Sequence, residues 1–302
     1  MATHNTAIHW FRKGLRLHDN PALLAACTNA TKVIPLFVLD PHFANPGVVA
    51  SLRYQFLLET LTDLDTTLRK NYNTQLYVAR GTPSDVLPRL VKQLNATLLT
   101  YEHDTEPYAK SRDRNIVQQM KSLGVTVDSH WSHTLHNLEH LSSLCQDKPP
   151  TVYQSFIKHI FLKAGPVPKP EPLPTTVPSP FSTTDDMNAF TTAVPDMGIE
   201  LGVPTLEEMG YPSATPCPFT GGETVGLERM HRHLERKQWI LSFEKPKTSP
   251  NSLSASTTVL SPYLKFGCVS VRTFWWELEK VYASNASGNR SLPPTSLDGQ
   301  LL

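Results

Sequence analysis

The chain has 302 residues, room for two cores, with 39% hydrophobic and 18% charged residues and a net charge of +1, a balance that neither demands nor excludes a nucleic-acid partner. Cys27, Cys145, Cys217 and Cys268 are far apart and form no CxxC pair, which argues against a zinc ribbon or a disulfide frame and for the reduced thiols of an intracellular protein. No apolar run reaches membrane-spanning length.

Residues 1–135 alternate strand and helix. Strands are predicted at Ala7–Phe11, Val33–Leu39, Gln75–Ala79, Ala96–Tyr101 and Val125–Val127. Val33–Leu39 is continuous and apolar, as a strand covered on both faces should be. Helices are predicted at Leu52–Leu68, at Asp85–Leu94 with Ser84 as its cap, and at Ala109–Leu123, stopped by Gly124. Such repetition predicts a Rossmann-like, doubly wound parallel sheet, with ligands at the carboxyl ends of the strands.

Residues 136–220 read as a connector. Fourteen of the 26 prolines fall in 149–218, five of them at alternate positions in 166–174, and neither helix nor sheet interior runs through such a stretch. One short helix, Tyr153–Lys163, precedes the prolines, and the rest is expected to drape over a surface. From 221 to 302 the pattern is helical, with one helix predicted over Thr224–Leu241 and another over Val271–Tyr282, capped by Ser270. The sequence stops at Gly299–Leu302 without a terminating signal, which reads as a cut through an element.

Four stretches can carry chemistry, and each has a plainer reading. His9–Pro21 follows the first strand and holds Arg12, Lys13, Arg16, Asp19 and Asn20, which suit either an anion site or a salt-bridged interface. His130, His133, His136 and His140 could meet a metal, or form a solvated loop. Arg232, Arg236, Lys237, Lys245 and Lys247 surround Trp239 and Phe243, which suits a phosphate backbone or the wet face of a helix. Ser256, Thr257, Thr258 and Ser261 crowd a helix start, which suits a phosphate or an ordinary cap.

Taken together, these stretches resemble the photolyase/cryptochrome flavoproteins. HWFRKGLRLHDNPAL at 9–23 is similar to the family's N-terminal signature. GGETVGLERMHRHLERKQWILSFEKPKTSPNSL at 221–253 and STTVLSPYLKFGCVSVRTFWWELE at 256–279 resemble the entry into its flavin domain. SLDGQLL at 296–302 resembles a further block that normally runs on. Phe243–Leu253 and the TTVLSPYLKFG stretch look most like (6-4) photolyases, with animal-type cryptochromes similar across the same blocks.

The resemblance implies an α/β antenna domain over 1–135, a connector over 136–220 and an incomplete all-α FAD-binding domain over 221–302. It implies FAD as cofactor, with Thr257, Thr258, Val259, Leu260 and Ser261 at the flavin phosphates, Lys245 beside them, and Gln300 facing flavin and lesion. A folate or deazaflavin antenna is expected in the first domain. The implied reaction is light-driven repair of (6-4) photoproducts in UV-damaged DNA by a monomer in the nucleus, with the cytoplasm as a second location. The alternative is a cryptochrome photoreceptor acting on circadian clock proteins without repair. The catalytic residues are expected beyond Leu302, so this chain alone is expected to be inactive, to bind FAD weakly or not at all, and to aggregate. Asp298 departs from the family pattern, in which His or an aromatic residue is more usual.

Overall fold

The computed structural model describes residues 2–145, 148–181, 190, 202–211, 216–244, 256–285 and 288–302. Five parallel strands, β1 (His4–Phe11), β2 (Ala30–Leu39), β3 (Tyr77–Arg80), β4 (Leu98–Glu102) and β5 (Thr126–His130), stand in the order β3-β2-β1-β4-β5. Crossover helices α1 (Pro21–Asn29), α2 (Ser51–Tyr72), α3 (Pro83–Leu94) and α4 (Pro107–Ser122) cover both faces. The pleat explains the apolar run of β2. Val33, Phe37 and Leu39 point into one buried cluster with Leu61 and Leu64 of α2, while Ile34, Leu36 and Val38 point into another with Leu87 of α3 and Ile116 of α4. Pro35 is tolerated because pairing of β2 with β3 begins only at Leu36.

The sheet is therefore the predicted Rossmann-like one, with four local corrections. The sequence reading omitted α1, which the Asn20 side chain caps by accepting the Leu23 N–H at 3.0 Å, with Pro21 in the first turn. Thr82, not Ser84, precedes α3. Pro83, whose missing N–H costs nothing in a first turn, starts that helix one residue before Ser84. The helix predicted over Tyr153–Lys163 is a single α-turn, α6 (Tyr153–Phe156), continued by a wider π turn (Ile157–Phe161) and a tight 3₁₀ turn (Leu162–Ala164); α5 (Leu138–Cys145) precedes it.

The fourth correction concerns Thr224–Leu241, which is two helices: α7 (Glu223–Leu234) and α8 (Lys237–Leu241). Arg236 leaves helical geometry at φ −82°, ψ 56°. Past the bend, Ile240 and Phe243 enter the buried cluster that also holds Met230 and Leu234 of α7. α9 (Ser261–Lys265) and α10 (Val271–Ala283) complete the helical part, and the Ser270 side chain caps α10 as the sequence indicates.

The connector does drape over a surface where it is described. Val177, Leu206 and Tyr211 are buried against the α2 side of the sheet and Phe190 against the other. The helical part joins the sheet at close backbone approaches. A Cβ on Gly221 would stand 2.1 Å from the Phe56 carbonyl oxygen, and one on Gly267, which has φ +68°, only 1.8 Å from that of Lys13.

Candidate functional site

Strand order reverses between β1 and β4, so the crevice for a ligand opens where the chain leaves those two strands. The loop after β1 divides its charges between two tasks. Arg12 and Lys13 stay at the crevice. Arg12 donates to Asp113 at 2.7 and 2.8 Å and lies over Tyr101 at 4.3 Å. Lys13 donates to Asp104 and Glu106, each at 2.9 Å. Burial raises Asp104, but the Glu106 N–H and Lys13 outweigh it and hold the carboxyl below its usual range. Lys13 also holds Glu106 low.

Arg16, His18 and Asp19 turn the other way and clamp the helical part. Arg16 donates to the carbonyls of Gly267 at 3.0 Å and Ser132 at 3.1 Å. Asp19 accepts from Arg272 Nε at 3.0 Å and from the Ser270 hydroxyl. Glu223 of α7 accepts the Leu17 N–H at 2.7 Å and the His18 N–H at 3.0 Å. His18 Nε2 accepts the Ser270 N–H at 3.1 Å, so the ring proton sits on Nδ1, facing Glu223. Of the two readings of this loop, the interface accounts for Arg16 to Asn20, and the crevice keeps Arg12 and Lys13.

Above the ends of β1 and β2 lies a cavity of about 650 Å³, within the range of small-molecule sites. Its lining includes Trp10, Phe37, Tyr54 and Leu57 with Phe266 from the helical part, so both halves of the molecule build it. The polar lining has five cations (Arg12, Lys13, Arg53, Arg112 and Lys265) against three carboxylates (Asp40, Asp104 and Glu106). Beside it His42 stacks on Tyr108 at 3.7 Å, and the Tyr108 hydroxyl donates to Asp40 at 2.6 Å. Burial and Asp40 push that phenol up to about 12. Aromatic walls with a cationic excess suit a flat, partly anionic molecule.

A second constellation lies in the loop just before α9. Thr257 Oγ1 accepts the Val259 N–H at 3.3 Å and Thr258 Oγ1 the Leu260 N–H at 3.4 Å. Among the described residues neither hydroxyl proton has an acceptor. Val259 has φ 51°, rare for a β-branched residue and worth about 1–3 kcal/mol of strain. Arg229 Nε donates to the Thr258 carbonyl at 2.7 Å and brings a cation. Leu260 turns its side chain into the core, leaving only its backbone to a ligand. Ser261 opens α9. Gln300 is exposed on a 3₁₀ turn (Asp298–Gln300) held from beneath by Asp298, which accepts from Tyr282 at 3.0 Å and Arg290 at 3.2 Å. Leu260 and Leu297 share one buried cluster, which ties loop and turn into one body. Lys245 and Lys247 lie outside the described residues.

A family model described as DNA photolyase matches residues 7–177. The chain belongs to the DNA photolyase/cryptochrome family. Cryptochrome-2 of Gallus gallus is 44% identical over 302 residues, covering 98% of this chain and 49% of the relative. Cryptochrome-1 of Rattus norvegicus is 44% identical over 299 residues, with the same coverage. The chain thus spans about half the length of the curated relatives it matches. Among solved structures, a Synechocystis cryptochrome superposes with a TM-score of 0.75 at 26% identity, over 94% of this chain and 58% of that one. An archaeal photolyase from Sulfolobus tokodaii with two FAD molecules superposes at 0.66 and 22% identity, over 92% and 57%, a likeness of fold.

Family membership makes FAD the group against which the second constellation is tested. The Thr257 and Thr258 hydroxyls, which have no acceptor among the described residues, the Ser261 N–H and the Arg229 cation fit a pyrophosphate in chemistry, although Pro262, next in α9, has no N–H to add. Three of the four histidines take other partners: His130 pairs with Asp128, His133 lies 3.9 Å from Glu102, and the His136 ring packs on Phe161, with His140 near enough to add to the burial that lowers His136. Among the described residues no group of three metal-ligating side chains forms. The large cavity was missed by sequence reading, apart from Arg12 and Lys13. Its one local signal is Asp40-Pro41, at the carboxyl end of the fully apolar β2.

Proposed function

We propose that this chain carries two chromophore sites of a blue-light flavoprotein. The Thr257–Ser261 loop cradles the phosphates of FAD, with Lys245 as a further cation and Gln300 facing the ring. The cavity at the strand ends takes a flat antenna chromophore, a folate, a deazaflavin or a second flavin. One observation carries the reading: residues 257–267 join the hydroxyl-rich loop at one end to the cavity wall at Lys265 and Phe266. The division into an antenna domain (1–135), a connector (136–220) and a helical flavin region (221–302) belongs to the same proposal.

Reduced FAD, when bound and excited, supplies an electron to a substrate. The residues here orient the group and offset its charge. For the whole protein we propose nuclear repair of (6-4) photoproducts in DNA, a carbon–carbon lyase reaction, on the strength of the 243–267 blocks. A second reading, a photoreceptor acting on clock proteins, is favoured by relatives that are 44% identical and named cryptochromes. Blue-light repair of an oligonucleotide carrying the lesion separates them, and no repair leaves the signalling reading. The cavity is tested on the purified chain by quenching of riboflavin fluorescence. Leu57→Trp, which fills the cavity, is expected to weaken binding at least tenfold, and equal binding by both chains would remove the antenna reading.

A further inference from the structure

Every residue from Pro166 to Leu173 is either a proline or directly precedes one. Proline fixes its own φ near −65° and drives the residue before it to extended geometry, so this stretch is biased to polyproline II before it touches anything. Its inward residues agree. Val167, Pro174 and Val177 are buried and Pro170 is half-buried, steps of three to four that match three residues per turn. Pro166, Pro168, Lys169, Glu171 and Pro172 face outward.

The partners of this strap are specific. The Trp276 indole N–H donates to the Pro168 carbonyl at 3.0 Å, and Lys169 Nζ lies over the same ring at 5.8 Å. Glu171 exchanges two bonds with Asp19, giving its N–H to the carboxylate at 2.8 Å and taking the Asp19 N–H on its carbonyl at 3.1 Å. Arg272, four residues before Trp276 on α10, holds the same Asp19 carboxylate. An indole donor to a carbonyl flanked by prolines, with a cation on the ring, is the way aromatic grooves read polyproline peptides.

We propose that residues 166–174 are a polyproline ligand held in cis, and that the Arg272–Trp276 face of α10 with Asp19 is its docking surface, able to accept a separate proline-rich peptide with lysine between two prolines. The strap holds its place through its high effective concentration, so a competitor enters readily only when the strap is weakened.

The test follows the Trp276 indole ¹H–¹⁵N resonance, assigned with Trp276→Phe. In a chain with Pro168→Ala, Pro170→Ala and Pro172→Ala together, that signal is expected to leave its native position. A synthetic peptide of residues 165–174 should restore it, with apparent affinity at least about tenfold tighter than for the native chain. A peptide with alanine at its prolines should not. Equal peptide binding by both chains, or equal action of the alanine peptide, overturns the proposal. The Trp10 signal reports whether the sheet remains folded. Should it collapse, Lys169→Ala in the native strap decides: the Trp276 signal must shift and the peptide must enter at lower concentration, and no change in either is also fatal.

Discussion

Residues 12–20 and 229–237 are both short, cation-rich and close to aromatic residues. In the first, Arg16 and Asp19 are almost wholly buried. In the second, Arg232 stays exposed and pairs with Glu228 one turn away, and Arg236 covers the nearby Trp239 at 4.7 Å, although Arg229 reaches as far as Thr258. The contrast lies in how far away the partners are. Glu102 and Arg272 stand 86 and 253 residues from the charges they meet, whereas Glu228 stands four from Arg232. Charges with local partners can stay wet, and charges with distant partners mark an interface.

The comparison can be broken at several points. The largest effect is expected at His9, just before the first loop. Burial, then His130 and Arg12, lower its imidazole to about 3. The unfolded imidazole takes a proton near pH 6.5, and the folded one resists to about pH 3. Stability is therefore complete above pH about 6.5 and falls with acid, by on the order of 4–5 kcal/mol at pH 3, since each unit is worth about 1.4 kcal/mol. Urea midpoints between pH 7.5 and 3.5 for the native chain and His9→Gln measure this, and an unchanged acid slope in the variant would exonerate His9.

Asp19→Ala leaves Arg272 buried without its carboxylate, and a loss of about 3–5 kcal/mol is expected in the same urea experiment at neutral pH. Ser270→Ala removes the α10 cap and one donor to Asp19, with about 1–2 kcal/mol lost, read as a lower thermal midpoint. At the other end of the scale, Arg232→Gln should change stability by less than about 0.5 kcal/mol. A loss at Arg232 as large as that at Asp19 would erase the distinction between the two regions.

The sheet was legible because continuous apolar runs such as Val33–Leu39 need cover on both faces, and only one architecture supplies it simply. α1 was also written in the chain, as Asn20 followed by Pro21, but the charges of the loop before it drew attention away from that helix start. The break between α7 and α8 carries no glycine or proline and follows from core packing, which periodicity does not contain. The loop at Thr257–Ser261 could be singled out because its donors are neighbours in sequence. The cavity could not, since Trp10, Phe37, Arg53 and Lys265 meet only through the fold.

The Asp19–Arg272 pair also sets a clock on synthesis. At roughly 5–20 residues per second, Arg272 leaves the ribosome about 10–50 s after Asp19. Until then the β1 loop holds its carboxylate without that cation while β2 to β5 emerge and the sheet can form. Desolvating that charge against a wrong surface would carry a penalty with nothing to offset it. The cation that completes this loop is thus made only after every strand of the sheet.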